Sequence, residues 1–195
     1  MYLHTLCLVS VCILCVFGFE PAPLYRLRVS RGAMIVLALV LLALSAFSFR
    51  LFGRIAVYPA GAATLLIGTL LMLRDKAPVR TTVTLIFAGI AGAVLVRVLS
   101  SFYEPGLPVA VCALTAALTA RERDAGRRTA IALLAPGVTD SALAVYDFLA
   151  FGVFEGTFGS VLSFGAACLG ALMTVLLLPA LSALFGRRTV SEGIS

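Results

Sequence analysis

The stretch TAIALLAPGVTDSALAVYDFLAFG, residues 129–152, decides how the rest of this chain is interpreted. It is apolar over most of its length, contains the pair Pro136-Gly137, and carries two carboxylates, Asp140 and Asp147. Seven residues is close to two helical turns, so the two acids lie on roughly one face of a helix. Because an acid inside an apolar span is costly, it indicates a functional site by default.

The composition of the whole chain indicates an integral membrane protein. Of its 195 residues, 62% are hydrophobic and only 12% are charged, whereas soluble domains have about 25% charged residues. The net charge of +6 would also suit a nucleic-acid-binding protein, but the basic residues separate apolar runs. That distribution is typical of topology determinants. We therefore expect the lipid bilayer, and not nucleic acid, as the partner.

The apolar runs predict an all-α polytopic transmembrane helix bundle in a single domain, since about 20 apolar residues cross a core of about 30 Å. The first run lacks a preceding Lys or Arg and a clear cleavage site, which favours a retained span over a signal peptide. A tight hairpin is expected at 53–55, and a short tail at 187–195. We expect seven spans, with six as the alternative, near 3–19, 33–52, 56–73, 81–101, 105–120, 129–151 and 158–186.

The distribution of Lys and Arg over the loops predicts the orientation. Basic residues cluster after the first, third and fifth spans and in the tail, whereas the loops near 102–107 and 152–157 have none. By the positive-inside rule the basic loops are cytoplasmic. The N-terminus is then outside and the C-terminus inside a bacterial inner membrane. Arg50, Arg54 and Arg97 break the pattern.

An internal similarity suggests tandem repeats of a two-helix hairpin. A shift of 47 residues maps Arg50 onto Arg97 and the polar run 74–76 onto 121–123. Successive hairpins share one orientation, as parallel repeats do, and the sixth and seventh spans would form a third unit. The alternative is chance, because apolar runs separated by Arg align easily.

Two groups of charged residues are candidate sites. The topology places Arg50, Arg97 and Asp147 near the outer interface, which predicts a structural ion-pair cluster that neutralises charges at membrane depth. Asp140 lies eleven residues into its span, about 16 Å deep and close to the midplane, with no basic residue at that depth.

Asp140 has two interpretations. It is either a protonated carboxyl that bonds Thr139, Ser141 or a neighbouring helix, or a proton or cation site. The site would comprise Asp140, Thr139, Pro136 and Gly137, because proline removes a backbone donor and frees carbonyls nearby. Transporters bind ions beside such broken helices.

Catalytic and metal chemistry are not indicated. His4 is the only histidine, and the metalloprotease, Walker and dinucleotide motifs do not occur. Cys7, Cys12 and Cys15 have an iron–sulfur-like spacing, but they and the other two cysteines lie in apolar runs and are interpreted as small hydrophobic residues. We therefore predict no enzyme, no catalytic residue, no metal and no cofactor.

The segment from Arg97 through Glu104-Pro105-Gly106, a basic loop and LLAPGVTDSALAVYDF resembles a family of small bacterial multi-pass membrane proteins of unknown function. The resemblance covers about residues 82–186, and Pro136-Gly137 with Asp140 carry it. It implies a four-span unit, here preceded by three further spans, and no activity.

The predicted function is small-solute or ion handling, as a transporter or a transporter subunit, with Asp140 as the coupling residue. The alternative is a non-transporting scaffold or assembly protein. Transport predicts a polar cavity that reaches Asp140. A scaffold predicts a packed core and an exposed small-residue face for a homo-oligomer or a membrane partner. The small residues in question are Ala88, Gly89, Gly92, Gly152, Gly156, Gly165, Ala166 and Gly170.

Overall fold

A computed structural model describes residues 3–17, 30–51, 54–74, 76–101, 106–120, 122, 124–152 and 156–173. Over these residues the chain is mostly helical. The helices are α1 (Leu3–Val16), α2 (Arg31–Leu44), α3 (Pro59–Arg74), α4 (Val79–Leu99), α5 (Leu107–Thr119), α6 (Ala125–Phe151) and α7 (Val161–Leu172). The strands, of three residues each, are β1 (Phe49–Leu51), β2 (Ile55–Val57) and β3 (Gly156–Phe158).

Two of the described helices are long and apolar enough to cross a membrane: α4, with 21 residues, and the 26-residue segment Gly126–Phe151 of α6. Helices α1, α2, α3 and α5 have 13 to 16 residues, so they are about 20–24 Å long and shorter than a hydrocarbon core. Helix α7 reaches Leu172, next to the end of the described range. The helical class is confirmed, whereas a bundle of seven spans is not. Residues 174–186 of the predicted seventh span and the tail at 187–195 lie outside the described part.

The chain between the second and third predicted spans differs from the expectation. Helix α2 ends at Leu44, where the Ser45 hydroxyl donates to the Leu42 carbonyl at 2.7 Å, and β1 and β2 then form an antiparallel hairpin. Aromatic and β-branched residues favour strands over helix ends, and here they recur at alternate positions on both sides of the turn. The helical hairpin expected at 53–55 is therefore a β-hairpin.

Strand β3 pairs in parallel with β2 and completes a three-stranded sheet. The ladder continues one residue further, because the Tyr58 N–H donates to the Phe158 carbonyl at 3.0 Å. Helix α3 follows β2 directly and α7 follows β3. The sheet therefore sets the first turns of α3 and α7 side by side.

Helix α6 is the central element, since it packs against α3, α4, α5, α7 and β3. Its first half is enclosed: Ala130, Ile131 and Ala135 are fully buried. Its last turns expose large apolar side chains, among them Phe148 and Leu149. A polar side chain in the first half of α6 is thus surrounded by protein.

Helices α2 to α7 form three consecutive two-helix units, α2–α3, α4–α5 and α6–α7. The first helices of the units begin at Arg31, Val79 and Ala125, and the second helices at Pro59, Leu107 and Val161. Helices α4 and α6 point the same way, since Gly92 faces Thr139 and Arg97 faces Asp147 further along. The spacing is close to the predicted 47 residues, and a duplication stays a prediction.

Candidate functional site

Asp140 lies near the middle of α6 and is 5% exposed. Its Oδ2 accepts a hydrogen bond from the Ser160 N–H at 3.0 Å. Its Oδ1 accepts from the Ser160 hydroxyl at 3.0 Å and lies 2.6 Å from the Ser163 hydroxyl. All three donors belong to the start of α7, where the helix dipole favours a negative charge. Asp140 therefore joins the central helix to the N-terminus of α7.

The first turn of α7 is shaped by the residues just before it. The hydroxyl of Ser160, the N-cap residue, accepts from the Ser163 N–H at 3.1 Å. Gly159 has a φ of +66°, a conformation that glycine adopts without strain. A Cβ added at Gly61 would lie 2.7 Å from the Gly159 carbonyl carbon. The first turns of α3 and α7 thus meet backbone to backbone next to Asp140.

Pro136 lies inside α6 without ending it, because the helix is continuous from Ala125 to Phe151. The break expected at the Pro-Gly pair is therefore absent. Proline has no N–H, so the Ala132 carbonyl lacks its usual helical donor; this carbonyl faces Gly170 of α7. The Pro136 carbonyl lies 2.9 Å from the Ser163 hydroxyl.

Thr139 and Ser141 bond away from Asp140. The Thr139 hydroxyl lies 3.1 Å from two acceptors, the Gly89 carbonyl of α4 and the Ala135 carbonyl of its own helix. The Ser141 hydroxyl donates to the Gly137 carbonyl at 3.0 Å. Gly137 itself packs against Leu65 of α3. Of the four residues predicted for the site, Thr139 and Gly137 hold neighbouring helices, and only Asp140 and the Pro136 carbonyl meet at Ser163.

Ser160 and Ser163 are site residues that the sequence interpretation missed. They follow Asp140 by 20 and 23 residues, and their contact with it depends on the path of β3. A local signal does exist, because Gly159-Ser160 directly precedes an apolar run, which is typical of a helix N-cap.

The predicted ion-pair cluster is only partly assembled. Arg97 forms an ion pair with Asp147, and its guanidinium carbon lies 4.9 Å from the centre of the Tyr146 ring. Arg50 is exposed on β1, opposite Ala56 of β2. Strand β3 packs on α6, and β2 lies between β3 and β1. Arg50 on β1 is therefore two strand spacings, about 10 Å, from β3. It makes no ion pair with Asp147.

Arg97→Ala or Asp147→Ala is expected to lower the free energy of unfolding by less than about 1 kcal/mol, because exposed ion pairs are worth little. The two side chains are 46% and 35% exposed. The measurement is chemical unfolding of the single and double variants, with Arg80→Ala, an exposed arginine of the same helix, as the control. A coupling energy above about 2 kcal/mol would contradict this, because it would require a pair shielded from water.

The space beside Asp140 is narrow. A crevice lies between α3, α6 and α7, and it is too narrow to hold a water molecule. It is lined by Gly61, Thr64, Leu65, Leu133, Gly137, Gly159, Ser163 and Phe164. In the described ranges no three His, Cys, Asp or Glu side chains are grouped as metal ligands would be. The site is thus a tightly packed cluster of one carboxyl, two hydroxyls and backbone groups, in which Asp140 and Ser163 are buried and Ser160 is half-buried.

The sequence matches no family model, and comparisons with curated proteins and with solved structures also give no match. The resemblance to small bacterial multi-pass membrane proteins stays a prediction.

Proposed function

We propose that this chain is a multi-pass protein of a bacterial inner membrane that handles an ion or a small solute, with Asp140 as the coupling residue. The observation that carries the proposal is a buried carboxylate halfway along a membrane-length helix, bonded to the N-terminus of α7. Transporters place ion sites near the midplane, where the ends of discontinuous helices meet.

The outer surface of α4 supports the membrane setting. Only 33% of its apolar window is buried, whereas the core helix of a soluble protein is mostly covered. Its exposed large apolar residues follow one another from the first turn to the last, over about 28 Å at 1.5 Å per residue. They are Val79, Val83, Ile86, Phe87, Ile90, Val94 and Val98. A face of this length fits the hydrocarbon core of a bilayer.

The basic residues support the proposed orientation. Helices α4 and α6 run in parallel, and the start of each lies within a basic segment of the sequence, 74–80 for α4 and 121–128 for α6. One end of both helices is thus rich in Lys and Arg, as a cytoplasmic end is. The proposal keeps the N-terminus outside and the C-terminus inside.

A non-transporting scaffold is the second candidate, and the dry packing around Asp140 favours it. The positions of six of the eight small residues speak against it, whereas Gly152 is exposed and Gly156 is half-buried. Ala88, Gly89 and Gly92 of α4 and Gly165, Ala166 and Gly170 of α7 are buried inside the chain, and so are not presented to a partner. A tightly packed site also suits alternating access, in which the site is shut off from water in one of its states.

The test is ion flux through the purified full chain in liposomes that contain a pH-sensitive dye, driven by an imposed membrane potential. Wild-type protein and Ser141→Ala are expected to carry protons, Na⁺ or K⁺ in parallel assays. Asp140→Asn should fall to the level of empty liposomes, because the coupling charge is gone. Ser141 is the matched control, since its exposed side chain bonds only within α6.

If wild-type protein carries none of these ions, or if Asp140→Asn carries them as well as wild type, ion handling through Asp140 is wrong. The amount of each variant folded in the membrane is measured in the same preparations. A loss of flux with unchanged abundance then reports on the site and not on folding.

A further inference from the structure

We infer that Asp140, Ser163 and the Pro136 carbonyl form a proton site, in which the Ser163 hydroxyl turns between two acceptors as the proton enters and leaves. This inference rests on the proposed function and names its ion. The Ser163 oxygen lies 2.6 Å from Asp140 Oδ1 and 2.9 Å from the Pro136 carbonyl oxygen.

The Ser163 hydroxyl has two acceptors nearby but only one hydrogen to donate. A serine hydroxyl has one hydrogen and two lone pairs, so it can donate to one acceptor at a time. Here two acceptors lie within hydrogen-bond distance. With Asp140 ionised, the hydroxyl donates to Oδ1 and the carboxylate receives its full set of bonds from Ser160 and Ser163.

Protonation exchanges the direction of one bond. The incoming proton forms an O–H bond on Asp140 Oδ1, and this new hydroxyl donates to the Ser163 oxygen. The Ser163 hydrogen turns from Asp140 to the Pro136 carbonyl, while the Ser160 N–H continues to donate to Oδ2. The charge of the site changes from −1 to zero, no heavy atom has to move, and release of the proton is the reverse.

The two states differ little in hydrogen bonding, and this matters in a dry site. A buried polar group without a partner costs about 1–3 kcal/mol, so a site that satisfied only one protonation state would strongly favour that state. Here each state has its partners in place. What changes on protonation is the interaction of the charge with the N-terminus of α7.

The donors around Asp140 select a proton over a metal cation. Na⁺ and Ca²⁺ require several oxygen ligands that turn their lone pairs to the ion. The Ser160 N–H is fixed by the backbone and points at Oδ2. The crevice beside the carboxyl does not admit even a water molecule. A proton needs neither space nor further ligands.

The charged and titratable side chains on the helices around α6 lie elsewhere. Arg97 is paired with Asp147, and none of the described charged residues forms an ion pair or a hydrogen bond with Asp140. The charged and titratable residues on the helices that pack against α6 are Arg74 on α3, Arg80 and Arg97 on α4, Cys112 on α5 and Cys168 on α7. Strand β3 contributes none. Asp140 is therefore neutralised by a proton and not by a neighbouring cationic side chain.

The test is infrared difference spectroscopy of the full chain in nanodiscs during a pH titration. We expect a carboxylic-acid C=O band that appears as the pH falls, shifts when the protein is labelled with ¹³C-aspartate, and is absent in Asp140→Asn. In Ser163→Ala the band should move to higher frequency, because the acid O–H has lost its acceptor. Ser163→Thr, which keeps the hydroxyl, and the control Ser141→Ala should retain the wild-type band.

The inference is overturned if wild-type protein shows no pH-dependent band sensitive to ¹³C-aspartate, if Asp140→Asn keeps it, or if Ser163→Ala leaves it unchanged. The label reports on all four aspartates of the chain, so Asp140→Asn is needed to assign the band to Asp140. Absence of the band in wild-type protein overturns the inference even where that variant fails to fold. The flux assay tests the proposed function, and its result is independent of the infrared result. A titrating band without ion flux removes the proposed function and leaves the proton site, whereas flux without a titrating band removes the proton site alone.

Discussion

Asp140→Ala is expected to lower the free energy of unfolding by about 3 kcal/mol. Alanine removes the side chain that accepts from the Ser160 N–H, and it leaves that donor and the Ser160 hydroxyl half-buried without this acceptor. Each buried donor without a partner costs about 1–3 kcal/mol. The Ser163 hydroxyl keeps the Pro136 carbonyl as an acceptor, so its loss is smaller. The measurement is reversible unfolding of the purified chain in detergent, followed by helix content.

Asp140→Asn separates the charge from the hydrogen bonds. The amide oxygen still accepts from Ser160, and the amide N–H donates to Ser163 as the protonated acid would, so we expect a loss of about 1 kcal/mol. Ser141→Ala, on the exposed face of the same helix, should change stability by less than about 0.5 kcal/mol. If Asp140→Ala were as stable as this control, the donors of α7 would have found water, and the dry site would be wrong.

The two longest helices could be predicted from the sequence because their signals are local. Long apolar runs with basic residues before them predicted spans at 81–101 and 129–151, and the structure has helices at Val79–Leu99 and Ala125–Phe151. Hydropathy reports the chemistry of consecutive side chains, and a helix buries or exposes them consecutively. The hydropathy signal did not reveal that Pro136 would be accommodated inside α6.

The shorter elements could not be predicted in the same way, because they depend on distant contacts. Strand β3 pairs with β2 about 100 residues earlier in the chain, and this pairing decides where α3 and α7 begin. Hydrophobic runs do not distinguish a strand joined to a short helix from one long helix. Residues 49–52 and 56–57 were therefore assigned to helix ends, and Arg50 was placed with Asp147 although it lies on β1.

The candidate site shows the same division between local and distant signals. Asp140 and Pro136 are unusual within their own apolar segment, so they could be found from the sequence. Ser160 and Ser163 are ordinary residues at a helix start, and only the folded chain brings them to the carboxyl. The donors that decide how Asp140 can titrate thus come from a different helix.

Gly159→Ala is expected to lower the free energy of unfolding by about 3–4 kcal/mol, the other large effect in this chain. A Cβ there would lie 2.7 Å from the Gly61 Cα, and the residue has a φ of +66°. The left-handed conformation costs about 1–2 kcal/mol for an alanine, and overpacking adds about 1–3 kcal/mol. Heat-induced loss of the folded species on size-exclusion chromatography would measure the effect.

Gly32→Ala is the matched control, because a Cβ at Gly32 in the first turn of α2 meets nothing within 4 Å. We expect it to be neutral or slightly stabilising, since alanine favours a helix over glycine. Gly61→Ala lacks the cost of a positive φ. Its loss in free energy of unfolding should therefore lie between those of Gly159→Ala and Gly32→Ala, at about 2 kcal/mol. Since Gly159 immediately precedes Ser160, separation of the two backbones should also displace the Ser160 N–H from Asp140. Gly159→Ala with normal stability and an unchanged Asp140 infrared band would therefore show that the contact with Gly61 does not position the site.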